Sequence, residues 1–314
     1  MSPSSSLPQP SSSAGNTILI YRGHSDKVFS VSWSPDGQYL ASAGRDASIH
    51  IWDPSRDQAL QVYRNHTHCV LCTAWSPDGS YVASGDTAGV IHVWEAQAAR
   101  TVTVYRGHRR FVRGLAWSPD GSYVASGGDY GDSTLQIWEA LSGTRLASHL
   151  DQYRVFSVCW SPDGRLLASA SFDGTVMLRE AQGDLPGAAS RIYHGHSAPV
   201  YAVCWSPDGS YVASGGHDRT IQVWEAQTLE TVSIYREHTQ PIKTLAWSPN
   251  GQYIGSGGDD RSVHIWRALT GQHRYTYPYH NAWVRTLAWS PDARYMASAS
   301  DETVRVWLPQ YATA

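Results

Sequence analysis

Residues 75–85 read WSPDGSYVASG, and the same eleven residues return without a difference at 117–127 and 205–215. A looser copy, Trp-Ser-Pro-(Asp/Asn)-(Gly/Ala), starts at Trp33, Trp75, Trp117, Trp160, Trp205, Trp247 and Trp289, at spacings of 42 to 45 residues. A period of this length marks one supersecondary unit copied along the chain, each copy burying its apolar face against the next. Within a copy, a hydrophobic strand ends at the Trp, S-P-D-G forms a turn, and a second strand follows, as in residues 38–42 and 80–84. Pro presets the turn's φ, Asp bonds its own backbone, and Gly takes a left-handed conformation. Asn250 keeps this chemistry but Ala293 does not, so the seventh hairpin is expected to be either strained or built on a different turn.

A third strand ends in Trp52-Asp53, Trp94-Glu95, Trp138-Glu139, Trp224-Glu225, Trp266-Arg267 or Trp307-Leu308, with Arg179-Glu180 in the fourth copy. A fourth strand follows in six places, for example residues 60–63, 101–105 and 231–235. Four strands make one blade. The seventh copy lacks a fourth strand, whereas residues 17–21 (TILIY) form a fourth strand with no blade before them. Joining the two seals a ring and removes an exposed edge. The expected fold is all-β: a seven-bladed closed β-propeller over residues 17–308, with four antiparallel strands per blade and the last blade completed by the N-terminal strand. Residues 1–16, rich in Ser and Pro, are expected to be a disordered leader, and 309–314 a C-terminal tail.

Bulk properties exclude several roles. The formal charge of −3 over 314 residues gives no global attraction to nucleic acid or anionic lipid. No apolar run approaches the ~18 residues of a membrane span, and no secretory signal opens the chain, so a soluble monomer in the cytoplasm is expected. The four cysteines, Cys69, Cys72, Cys159 and Cys204, lie on strands and read as core fillers. Cys69 and Cys72 form a C-x-x-C pair near His66 and His68, but no second pair follows and residues three apart on a strand point to opposite faces. Neither a metal nor a cofactor is expected.

With Gly-His, an inter-strand Asp and Trp-Asp in order, the chain resembles the WD-repeat β-propeller family from about Thr17 to Leu308. The closeness of its repeats resembles bacterial propellers with recently duplicated blades. In such propellers the leader is often a linker from an upstream kinase, nucleotide-binding or membrane segment; a plain disordered start is the alternative. The resemblance implies a hydrogen-bonded structural network in each complete blade: His24, Ser42, Asp46, Trp52; His108, Ser126, Asp132, Trp138; His196, Ser214, Asp218, Trp224; His238, Ser256, Asp260, Trp266; and His280, Ser298, Asp301, Trp307. These sets mimic Ser-His-Asp triads, but five copies that satisfy buried polar groups describe scaffold, so no catalytic residue is expected. Two blades depart: Ala88 stands at the Asp position of the second, and the fourth has Asp151 for His and Arg179 for Trp. An ion pair of Asp151 with Arg179, joined by Asp173, is expected to replace the network there.

Function is sought where the copies disagree. The fifth residue before each hairpin Trp is Val or Ile, and the second before it is mostly Val or Leu. Strict alternation would bury Arg113, Lys243 and Arg285, so a β-bulge is expected between these positions, aiming the fourth residue at the rim of the central opening. The family resemblance places interaction hot spots at that rim. The fourth residues back are Phe29, Leu71, Arg113, Phe156, Tyr201, Lys243 and Arg285; the sixth are Lys27, Cys69, Phe111, Arg154, Pro199, Pro241 and Trp283. The residues before the inter-strand Asp complete the face: Arg45, Thr87, Gly131, Phe172, His217, Asp259 and Ser300. This pool holds all four Phe of the chain, and its six Lys or Arg against one acid give a local +5. Exposed positions drift, but drift has no reason to gather every Phe.

The expected function is therefore a non-enzymatic scaffold for protein or extended-peptide partners that carry acidic groups and aromatic or apolar anchors. The expected site is Lys27, Phe29, Arg45, Phe111, Arg113, Arg154, Phe156, Phe172, Tyr201, Lys243, Trp283 and Arg285. Single-stranded nucleic acid on the same face, and a passive structural module of a larger signalling protein, are the alternatives.

Overall fold

The computed structural model describes residues 16–56, 58–150, 153–181 and 190–310. Asp151, residues 1–15 of the expected leader and 311–314 of the expected tail lie outside them. The described residues form seven four-stranded antiparallel sheets and no helix, so no helix is long and apolar enough to cross a membrane. Blade one runs outward through Val28–Trp33, Leu40–Gly44, Ile49–Trp52 and Ala59–Tyr63, and the next five repeat this order. Each innermost strand touches the innermost strands of both neighbours, and Thr286–Trp289 meets Val28–Trp33 to close the circle. The seventh sheet takes its outer strand from Thr17–Tyr21, which pairs with Thr303–Trp307 through Thr17↔Trp307 and Tyr21↔Val304.

The hairpin turn works as the motif predicts. Ser34 Oγ accepts from the Tyr39 N–H at 2.9 Å and donates to Asp36 Oδ1 at 2.5 Å, while the Gly37 N–H donates to Ser34 O at 2.9 Å. Gly37, Gly79, Gly121, Gly164, Gly209 and Gly251 all have φ between 70° and 74°. Ala293 makes the same turn, donating to Ser290 O at 2.8 Å with φ of 58°, so the seventh hairpin is the strained version and not a different turn. Left-handed backbone costs a residue with a Cβ ~1–2 kcal/mol, against ~0.5–1 kcal/mol of extra chain entropy for Gly. Ala293→Gly is expected to stabilise the fold by about 0.5–1 kcal/mol, read as a higher thermal midpoint.

In most blades the hairpin Trp joins neighbours. The indole N–H groups of Trp75, Trp117, Trp160 and Trp289 donate to Ser32 O, Ala74 O, Ala116 O and Ala246 O, each in the preceding blade, at 3.0–3.3 Å. The third-strand Trp works within the core: Trp52, Trp94, Trp138, Trp224, Trp266 and Trp307 are fully buried, each stacked on a Tyr at 4.3–4.8 Å. Blade four has Arg179 in place of this Trp, and His149, paired with Leu135, in place of its Tyr.

The expected bulge occurs in six blades. Pairing of the first two strands slips between Val28 and Ser30, Val70 and Cys72, Val112 and Gly114, Val155 and Ser157, Val200 and Ala202, and Ile242 and Thr244. The extra residue is Phe29, Leu71, Arg113, Phe156, Tyr201 or Lys243. In blade seven the inner strand starts only at Thr286, leaving Arg285 at the same end.

Candidate functional site: the axial recess and the networks beneath it

Each network satisfies four side chains. In blade one His24 Nδ1–H donates to Asp46 Oδ2 at 2.9 Å, Nε2 sits 2.8 Å from Ser42 Oγ, and Trp52 Nε1–H donates to that Oγ at 3.1 Å. The set recurs with His108–Asp132 at 2.6 Å, His196–Asp218 at 2.8 Å and His238–Asp260 at 2.7 Å, on Ser126, Ser214 and Ser256. Trp138, Trp224 and Trp266 complete these sets at 3.2–3.3 Å. Burial alone would raise Asp218 and Asp260, but the hydrogen bond and charge of the facing histidine outweigh it and hold both down at about 2. Ser42, Ser126, Ser214, Ser256 and Ser298 are fully buried, so no substrate reaches these triad look-alikes.

Four readings are corrected. Blade two has not lost its Asp: Asp86, two residues before Ala88, accepts from His66 Nδ1 at 2.9 Å, and Ser84 and Trp94 complete the set. In blade seven His280 bonds Ser298 at 2.7 Å and Trp307 bonds Ser298 at 2.9 Å, but Asp301 is not a member. There Ser300 pairs directly with Thr303, so the turn is too short to fold Asp301 inward; Asp301 is exposed with φ of 48°, and Ser300 Oγ takes its place 2.8 Å from His280 Nδ1. Ser300, 3% exposed, therefore leaves the rim set. In blade three the rim position belongs to Asp129, not Gly131: its N–H donates to Phe111 O, as Arg45 N–H does to Lys27 O and His217 N–H to Pro199 O. Replacing Gly131 by Asp129 sets six bases against two acids, +4 in place of +5. The Asp151–Arg179 pair lies outside the described residues; Asp173 is exposed and accepts from Thr175 N and Oγ at 2.9 and 2.7 Å.

Cys69 and Cys72 fall on either side of the Leu71 bulge, and burial pushes their thiols up to about 11 and about 12. His66, beside them in sequence, belongs to the blade-two network.

At the end of the ring opposite the Ser-Pro-Asp-Gly turns, one residue from the inner end of every blade lines a recess of about 380 Å³ around the axis: Phe29, Leu71, Arg113, Phe156, Tyr201, Lys243 and Arg285. Asp129, Arg154, Phe172 and Trp283 complete the lining. Nine of the twelve expected site residues meet here; Lys27, Arg45 and Phe111 stand outside it. Lys27 lines a separate cleft beside Asp301 and Arg305, Arg45 faces Asp26 at 3.7 Å, and Phe111 lies 5.7 Å from the Arg113 guanidinium with φ of 23°.

The recess has two characters. Blades four and five supply an aromatic wall, with Phe156 edge-on to Tyr201 at 5.0 Å and 6.3 Å from Phe172. Cations sit on aromatic faces around it: Lys243 Nζ 4.1 Å over Tyr201, Arg154 4.8 and 5.0 Å over Tyr130 and Phe172, and Arg285 5.2 and 5.3 Å over Phe29 and Trp283. Asp129, 4% exposed, bridges Arg113 at 2.9 Å and Arg154 at 3.5 Å, and Asp259 holds Lys243 at 3.4 Å. Arg285 is half-buried, burial lowers its pKa, and no carboxylate lies within 4.0 Å of it among the described residues. Trp283 is 47% and Phe172 43% exposed, a large apolar area left to solvent.

A seven-bladed ring closed by its own N-terminal strand, with conserved-in-kind polar networks below and a variable axial rim above, is a WD-type propeller. The chain belongs to the WD40 family (WD domain, G-beta repeat), whose repeat matches residues 15–53, 57–95, 99–139, 142–179, 187–225, 229–267 and 271–307. Among curated relatives, single segments are similar to rat "Coronin-7" (44% identical over 41 residues, 13% of this chain and 4% of that protein). Others resemble the Arabidopsis thaliana "Cell division cycle 20.1, cofactor of APC complex" (50% over 38 residues, 12% and 8%) and the "Probable cytosolic iron-sulfur protein assembly protein 1" of Phaeosphaeria nodorum (50% over 38 residues, 12% and 9%). The matches span less than a tenth of each of these three relatives, about one repeat.

Proposed function

We infer that this propeller is a non-enzymatic scaffold that captures an extended acidic peptide or protein loop, with an aromatic or apolar anchor, in the axial recess. The observation that carries this reading is Arg285, half-buried, held between Phe29 and Trp283 and lacking a carboxylate, beside an aromatic wall of Phe156, Tyr201 and Phe172. A ligand carboxylate supplies the missing counter-charge, and an apolar side chain covers the exposed rings. Assembly with partner proteins agrees with relatives named as a cofactor of the APC complex and as an assembly protein. Asp129 and Asp259 pair with three of the rim cations and cancel two of their charges, which disfavours a polyanion such as single-stranded nucleic acid relative to a ligand with one or two carboxylates.

Panning a random peptide library on the immobilised protein tests this. Enrichment of sequences pairing Asp or Glu with Phe, Trp or Leu is expected on the wild type and not on Arg285→Ala. Enrichment without acidic residues, or tight oligonucleotide binding that weakens steeply with salt, overturns the reading.

A further inference from the structure

Blade six carries a side-chain cluster found in no other described blade. Tyr235, at the end of blade five's outer strand, places its hydroxyl 2.8 Å from His264 Nδ1, 2.7 Å from His273 Nδ1 and 3.4 Å from Glu237 Oε2. His273 Nδ1 lies 3.2 Å from Glu237 Oε2, and the donor atoms of Glu237, His264 and His273 fall within 4.8 Å of one another. Donors around a tetrahedral zinc ion, bonded at ~2.0–2.2 Å, stand roughly 3.3 Å apart. We propose that Glu237, His264 and His273 form a binding site for a late first-row divalent metal ion of the zinc type, clamping blade five to blade six.

The protonation pattern suits the role. Ser262 Oγ–H donates to Asp260 Oδ1 at 2.9 Å, so it accepts from His264 Nε2–H at 2.9 Å, and the Nδ1 lone pair, which accepts the Tyr235 O–H at 2.8 Å, is the ligand atom. His273 Nε2 lies 3.1 Å from Thr276 Oγ1, which accepts a hydrogen bond from Nε2–H once the ring takes the tautomer that frees Nδ1 for the metal. When an ion takes the His264 lone pair, the Tyr235 O–H swings about its C–O bond toward Glu237 Oε2 at 3.4 Å while the ring stays stacked on Trp266. The Glu237 side chain is 56% and that of His273 30% exposed, which gives the ion an entrance and leaves the fourth position to water.

Sibling blades supply the controls. The Tyr hydroxyl meets Thr101, Thr231 and Thr17 at the place of His273, at 2.7, 2.7 and 2.6 Å. The place of Glu237, two residues after the Tyr, is Gly23, Asn65, Gly107, Gly195 or Tyr279. His273→Thr and Glu237→Gly thus install residues that this fold already accommodates. The full chain, stripped with chelator, is titrated with Zn²⁺ at neutral pH against a fluorescent indicator, and its thermal midpoint is followed in parallel. The wild type is expected to bind one Zn²⁺ with a rise in midpoint; each variant is expected to lose affinity by at least about tenfold and to lose the thermal rise. No binding by the wild type, or equal affinity in the wild type and either variant, overturns the site.

Discussion

Replacing Ser300 by Asp is expected to make the propeller markedly more resistant to acid. His280 is the network histidine that has two hydroxyls, those of Ser298 and Ser300, and no carboxylate at its ring nitrogens. Burial first, and Arg305 second, push its pKa from 6.5 down to about 3. A histidine whose folded pKa is depressed contributes its full stability above its ordinary value; that contribution is lost as the pH falls below 6.5 toward 3. The loss approaches ~1.4 kcal/mol per pH unit, so about 2–3 kcal/mol is gone near pH 4.5. His50 and His92, at about 4, and His264, at about 3, lose stability in the same direction. Ser300 stands two residues after the network Ser298, as Asp86 stands two after Ser84, and Asp86 reaches His66 Nδ1 at 2.9 Å. Ser300→Asp therefore gives His280 the carboxylate that His66 has, raises its folded pKa and removes its share of the acid penalty. Acid titration followed by tryptophan fluorescence is expected to show the unfolding midpoint lowered by about half a pH unit. An unchanged or raised midpoint contradicts this assignment of blade seven's weakness.

The repeat was legible down to the bulge because turn chemistry and strand alternation are local properties. Val28, Val70 and their equivalents had to be buried, Arg113 and Lys243 had to be exposed, and only an extra residue between core positions allows both. What escaped were positions fixed by loop length. The interval from hairpin Trp to third-strand Trp is 19 residues in blades one, two, five and six, but 21 in blade three and 18 in blade seven. The two added residues let Asp132 keep its network place while Asp129 takes the rim; the missing one strips Asp301 of its role. Counting that interval would have found both. Asp86 escaped for another reason: it supplies the same carboxylate from a neighbouring backbone position, and only the spatial overlap of the two carboxylates reveals the equivalence. The pairing of Arg113 and Arg154 on Asp129, and the Glu237, His264 and His273 cluster across two blades, join residues from different repeats, which no single-repeat alignment brings together.

The second large effect concerns the recess. Arg285→Glu turns an unpaired cation among aromatic rings into an anion facing the ligand's carboxylate, and a charge repelled in a partly desolvated site costs several kcal/mol. A drop in affinity of at least a hundredfold, about 2.7 kcal/mol, is expected for an acidic-aromatic peptide selected by panning. Arg165→Glu makes the same change in net charge beside a Ser-Pro-Asp-Gly turn, at the opposite end of the ring, where the Arg165 side chain is 85% exposed and 3.8 Å from Asp163. The pair separates local recognition from overall electrostatics, since both proteins carry the same total charge. Far-ultraviolet circular dichroism verifies that each variant keeps the strand content of the wild type. The decisive measurement is the affinity of that one peptide for the three proteins at a single ionic strength. Recognition in the axial recess predicts a hundredfold loss in Arg285→Glu with Arg165→Glu within twofold of the wild type; equal losses in the two variants, or a loss confined to Arg165→Glu, contradict it.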